Sequence, residues 1–170
     1  MSKFKIEANG LYWLCGQDDG SEDLCLHGHA VALIGERKLE YADCTVSATA
    51  LYLLKTLTED HIIDTDNQLL PCCGHTLIAN EDLSNVIISG CPNGIDWSVL
   101  HEGDCLRLVL EDGYAVTVPM SQYRAEVYRF ADSIEAFYKS SPPRRDPQDE
   151  FDRRGYVAFW NEWHRRRGNC

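Results

Sequence analysis

Between Thr76 and Val118 the chain repeats one pattern, in which short apolar runs are closed by turn residues. Thr76–Ala79 and Val86–Ser89 flank the turn-like Asn80-Glu81-Asp82. Cys91-Pro92-Asn93-Gly94 is a second turn, its Asn-Gly pair suited to positive φ. Trp97–His101 and Cys105–Leu110 flank Glu102-Gly103-Asp104, and Tyr114, Val116 and Val118 alternate after Asp112-Gly113. Runs and connections this short suit neighbouring antiparallel strands, not crossovers. A meander of four or five strands is therefore expected, and it constrains the rest of the fold more than any other stretch.

Three amphipathic segments supply the cover. Ser47 is placed to cap a helix to about Asp60, with Ala50, Leu53, Leu54 and Leu57 on one face and Lys55 and Glu59 on the other. Ser121 is placed to cap a second helix through Ser140, with a stripe at Tyr123, Val127, Phe130, Ala131, Ile134, Phe137 and Tyr138. A proline-rich linker, 141–147, precedes a third helix over 148–167, which displays Phe151, Tyr156, Phe159, Trp160 and Trp163. It ends in His164-Arg165-Arg166-Arg167, where positive charge suits a helix C-terminus. Upstream, Phe4 and Ile6 alternate with charged residues and Asn9-Gly10 is a turn dipeptide, so residues 3–15 read as a hairpin. Leu24–Ile34 is apolar on both faces, as for a central strand, and Leu39–Thr45 returns beside it. The expected architecture is one α+β domain over 1–170, a largely antiparallel sheet packed by three helices.

Composition narrows the function classes. At 170 residues the chain suits one domain with a sizeable core. No apolar run approaches the roughly 20 residues of a membrane helix, and the N-terminus lacks a secretory pattern, so a cytoplasmic location without membrane contact is expected. The eight cysteines are then expected as buried thiols or metal ligands rather than a disulfide framework. Net charge is −11, and residues 1–141 carry 9 Lys+Arg against 22 Asp+Glu. Nucleic-acid binding needs clustered Lys and Arg, so an acidic body argues against it.

Candidate chemistry gathers at Cys72, Cys73, His75, Cys91 and His101. Two Cys and two His would satisfy a zinc tetrahedron, giving a zinc-stabilised domain or a small metal enzyme as the alternative function. The spacing Cys-x2-His then Cys-x9-His matches no paired CxxC pattern, however, and no metal or other cofactor is expected. Cys25, His27 and His29 would share a strand face as a second conceivable ligand set. Cys73 or Cys91 could act as a nucleophile only with a histidine base in reach. Nucleotide-binding, serine-hydrolase and zinc-protease motifs do not occur. No catalytic residue is assigned, and an enzyme is not expected.

Size, acidity, an uneven aromatic- and cysteine-rich composition, and the stretches CPNGIDW (Cys91–Trp97) and GYVAFWNEWHRRR (Gly155–Arg167) give the chain a resemblance in type. It is similar to the bacterial immunity proteins of toxin–immunity systems, including contact-dependent inhibition. The resemblance carries over no individual residue. It implies a protein-binding inhibitor that occludes a basic toxin domain, such as a nuclease, with an acidic surface. The expected partner-binding residues are Asp18, Asp19, Glu22 and Asp23 on one loop, Asp96, Glu102 and Asp104 beside the central stretch, and Trp97 as an apolar anchor.

Overall fold

A computed structural model describes residues 3–14, 20–65, 67–72 and 76–168, and it has the expected α+β class. Strands β1 (Phe4–Tyr12), β2 (His27–Ile34) and β3 (Arg37–Cys44) form one antiparallel sheet with β2 in the middle. Strands β8 (Ser98–Glu102), β9 (Cys105–Val109) and β10 (Ala115–Pro119) form a second, a true meander. Between them lie two small ribbons. One pairs β4 (Leu70–Pro71) with β7 (Gly94–Ile95), and the other pairs β5 (Thr76–Ala79) with β6 (Val86–Ser89). The expected single meander is thus divided, because the chain after Cys91 turns back to pair with β4 before β8 begins.

The N-terminal segment is one strand and not a hairpin. Asn9-Gly10 makes an irregularity in the β1–β2 pairing, with Gly10 at φ +60°, and β1 continues to Tyr12. β2 is central to its sheet but not buried on both faces. Ala30, Ala32 and Ile34 are fully buried, whereas Leu33 on the other face is exposed. The β2–β3 turn meets the β9–β10 turn at Gly35, where a Cβ would lie 2.3 Å from the Tyr114 hydroxyl. Glu36 N–H donates to that hydroxyl at 3.3 Å, and Arg37 reaches Asp112 at 3.2 Å.

Helix α1 (Val46–Lys55) is shorter than its sequence suggests and is covered on every side: Val46 through Leu54 are all buried. Its first turns are Ser47, Ala48, Thr49 and Ala50, small enough to let neighbouring elements approach. The buried hydroxyls are satisfied individually, as burial demands. Ser47 Oγ accepts from Leu26 N–H at 3.0 Å, so it braces the residue that leads into β2 and does not cap α1. Thr49 Oγ1 meets Cys44 Sγ at 3.2 Å, and Thr56 Oγ1 meets the Tyr123 hydroxyl at 2.8 Å. Lys55, expected in solvent, donates to Val86 O at 2.9 Å.

Helix α2 (Met120–Ser140) starts directly after Pro119 without a side-chain cap, and buries the expected stripe from Tyr123 to Ile134. Helix α3 (Glu150–Arg167) is capped by Asp149, whose side chain accepts from the N–H groups of Phe151 and Asp152. Its buried face is Gly155, Ala158, Phe159, Glu162 and Trp163. Gly155 is needed there, because a Cβ would lie 2.0 Å from the Leu77 carbonyl oxygen of β5. Phe151 stays half exposed. Among the described residues no helix is long and apolar enough to cross a membrane.

Candidate functional site

Of the described candidate metal ligands, Cys72 and Cys91 lie together and His101 is engaged elsewhere. Cys72 and Cys91 lie with their sulfurs 3.0 Å apart, while Cys73 and His75 fall outside the described residues. His101 is engaged elsewhere, its Nδ1 2.6 Å from Asp60 Oδ1 and its N–H donating to the same oxygen at 2.8 Å. These contacts hold the Asp60 carboxyl below its ordinary range. The strand-face set also separates. His27 lies 3.2 Å from Asp23, and His29 lies 3.4 Å from Glu40. Burial, then the nearby Asp23 carboxylate, pushes the Cys25 thiol up to about 12. Burial pushes Cys44 to about 12 as well, so neither is a ready nucleophile. Among the described residues no three His, Cys, Asp or Glu side chains gather as a metal site.

The acids expected at a partner surface divide into two kinds. Asp96 is pinned inward: Oδ1 lies 2.8 Å from His61 Nε2 and accepts from Leu69 N–H at 3.1 Å, with the side chain 8% exposed. Together with the backbone pair His61–Val99, it clamps the 61–69 segment to β8. Trp97 is fully buried in the core beside Phe4 and cannot be an interface anchor. An aromatic anchor of an interface and an aromatic of the core are alike in sequence, and Trp97, just before β8, is the second. Glu102 and Asp104 are exposed, and Glu102 lies 3.8 Å from Arg107. They sit at the far end of β8 from Asp96, roughly 20 Å along the strand.

The loop set has a different setting. Asp18 and Asp19 lie outside the described residues, but Glu22 and Asp23 are placed. Asp23 accepts from the N–H groups of Leu14 at 2.8 Å and Cys25 at 3.1 Å. Burial by itself would raise its pKa, yet His27 and these two donors outweigh burial and hold it low. The loop is strapped to the proline-rich linker. Arg145 N–H donates to Ser21 O, the Arg145 guanidinium pairs with Glu22, and Arg144 donates to Gly20 O while stacking over Trp13.

This strap brings the loop against the first turn of α3. Two adjoining recesses of about 270 and 320 Å³ share Glu22, Leu24 and Asp152 as lining. Asp23, Asp146 and Asp149 complete the acidic walls, with Arg145 as the one guanidinium among the lining residues. Leu14, Leu24, Leu77 and Pro147 supply apolar floor, and Leu14 is 52% exposed. Phe151, on the same first turn of α3, is 49% exposed. Asp146, Asp149 and Asp152 escaped the sequence reading because they look like helix-start residues. The available signal was their density just after the prolines.

The Arg165–Arg167 run is consumed by the fold. Arg165 reaches Asn85 Oδ1 at 2.6 Å, Arg166 Nε reaches Glu162 at 2.7 Å, and Arg167 makes a bidentate pair with Asp132 at 2.7 and 2.8 Å. It is not a basic patch. The chain matches no protein-family model, no curated protein and no solved structure.

Proposed function

We propose that the chain is a protein-binding module that occludes a basic protein partner, in the manner of an immunity protein neutralising a toxin domain. The observation that carries this reading is the groove between the acidic loop and α3, where five carboxylates surround an apolar floor beside a single guanidinium. Carboxylates around a recess attract a basic surface and orient its approach, which raises the association rate. Residence needs desolvated apolar contact, for which Leu14 and Phe151 are the exposed candidates. Net charge of −11 extends the same field over the whole molecule.

Co-expression with the product of the adjacent gene tests the reading. A stoichiometric complex that suppresses a toxin activity is expected, and Leu14→Ser should weaken it by removing apolar contact without touching the core or the charge of the groove. An adjacent product that is not bound, with its activity unchanged, would overturn the proposal.

A further inference from the structure

The groove does not involve the closest sulfur pair in the described structure, and that pair supports a separate inference. Cys72 follows β4 and Cys91 precedes β7, strands that pair at Leu70–Ile95 and Pro71–Gly94. The pairing extends one step further through Cys72 N–H to Asn93 O at 3.0 Å. On the other side Thr45 fixes the same segment, its N–H donating to Pro71 O at 3.0 Å and its hydroxyl to Cys72 O at 3.4 Å. Pro92 turns the chain so that Cys91 folds back over Cys72. The sulfurs end 3.0 Å apart, about 1 Å beyond a disulfide bond, a gap that small side-chain rotations close.

We propose that Cys72 and Cys91 form a reversible disulfide, a modification site for small disulfide oxidants of the glutathione class. Both residues are partly exposed, so such an oxidant can reach them, in contrast to the buried Cys44. One thiolate attacks glutathione disulfide, breaking its S–S bond and releasing one glutathione thiolate. The second protein thiolate then attacks the mixed disulfide and releases the other. The two protein thiol protons end on the two glutathione thiols, and no other oxidant is required.

The bond would close a covalent loop from 72 to 91 that contains the β5–β6 ribbon. That ribbon carries Leu77, whose carbonyl lies over Gly155 of α3. Cross-linking the base of the ribbon limits its local opening, so amide exchange within 76–89 should slow on oxidation.

Titrating the full chain with glutathione disulfide, then alkylating and mapping peptides by mass spectrometry, tests the proposal. A Cys72–Cys91 linked peptide pair is expected, with thiols falling from eight to six per chain and all eight returning on reduction. Cys72→Ser and Cys91→Ser should each abolish that pair, and Cys73→Ser should retain it. Mapping the wild-type chain directly keeps the test valid if a variant folds poorly. A Cys72–Cys73 linkage, an intermolecular bond, or glutathione left on either cysteine without the cross-link would overturn it.

Discussion

The two ends of α3 carry similar densities of charge and use them in opposite ways. At the C-terminal end Glu162 is 1% exposed and holds three elements together. It accepts from Val86 N–H at 2.7 Å and from Arg166 Nε at 2.7 Å, with Lys55 Nζ 3.5 Å away. Arg166 also pairs with Glu59 beyond the end of α1. At the N-terminal end Asp152 is exposed and makes no ion pair among the described residues. Asp149 serves the helix as its cap and Glu22 makes only a solvent-exposed pair with Arg145, so that Glu22 and Asp152 still line an open recess. Charge that the fold consumes is unavailable to a partner; charge left around a groove is available. This difference, rather than the number of acids, locates the candidate interface.

The largest expected effect comes from breaking the consumed end. Glu162→Ala leaves Val86 N–H without its acceptor and the Arg166 guanidinium, whose side chain is 9% exposed, without its inner partner. Removing one member of a buried pair costs about 3–5 kcal/mol, and chemical denaturation should report a loss in that range. A loss under about 1 kcal/mol would put Glu162 with the surface acids and erase the contrast.

Gly155 lies between the two ends and sets how closely α3 approaches β5. Gly155→Ala places a methyl against the Leu77 carbonyl, and the helix or the ribbon must shift. Overpacking of this kind costs about 1–3 kcal/mol, more than the gain in helix propensity of about 1 kcal/mol returns. Thermal unfolding should show a net loss of stability. A stabilised variant would mean that α3 sits further from β5.

A smaller effect separates the ends by pH. Burial of Glu135 would raise its pKa, but hydrogen bonds from Lys139 and His164 outweigh burial and hold it below the ordinary 4.5. A carboxyl depressed in the folded state adds stability above its unfolded pKa, and that contribution is lost as pH falls through the folded pKa. Glu135→Gln should therefore be less stable than wild type near neutrality, by under about 1 kcal/mol because Lys139 is solvated. The gap should close below the ordinary carboxylate value. A gap that persists in acid would assign the difference to packing instead of charge.

Some of this contrast could be read in the sequence. The stripe of α2 and the short strand at Val86–Ser89 are local patterns and appear as expected. What was hidden depends on distant partners. Glu162 looks like an ordinary helix-surface acid because Val86, which defines its role, lies 76 positions away. Asp96 looks like a turn acid because His61 is 35 positions upstream. α1 looks amphipathic, yet its polar side is Ser47, Thr49 and Lys55, all taken up by other elements. Asn9-Gly10 reads as a hairpin turn only until β2 pairs along the whole of β1, bulge included.

The smallest effect on stability, and the most direct test of the account, comes from the open end. In a chain carrying Glu22→Gln, Asp146→Asn and Asp152→Asn, folding should be nearly unchanged, because these carboxylates make only exposed contacts. The measurement is the association and dissociation rates of this chain and the wild type with the product of the adjacent gene, at low and high salt. The account predicts a slower association rate for the neutralised chain at low salt, convergence of the two at high salt, and closely similar dissociation rates. Binding with association rates equal at low salt would contradict it and place the interface away from this groove.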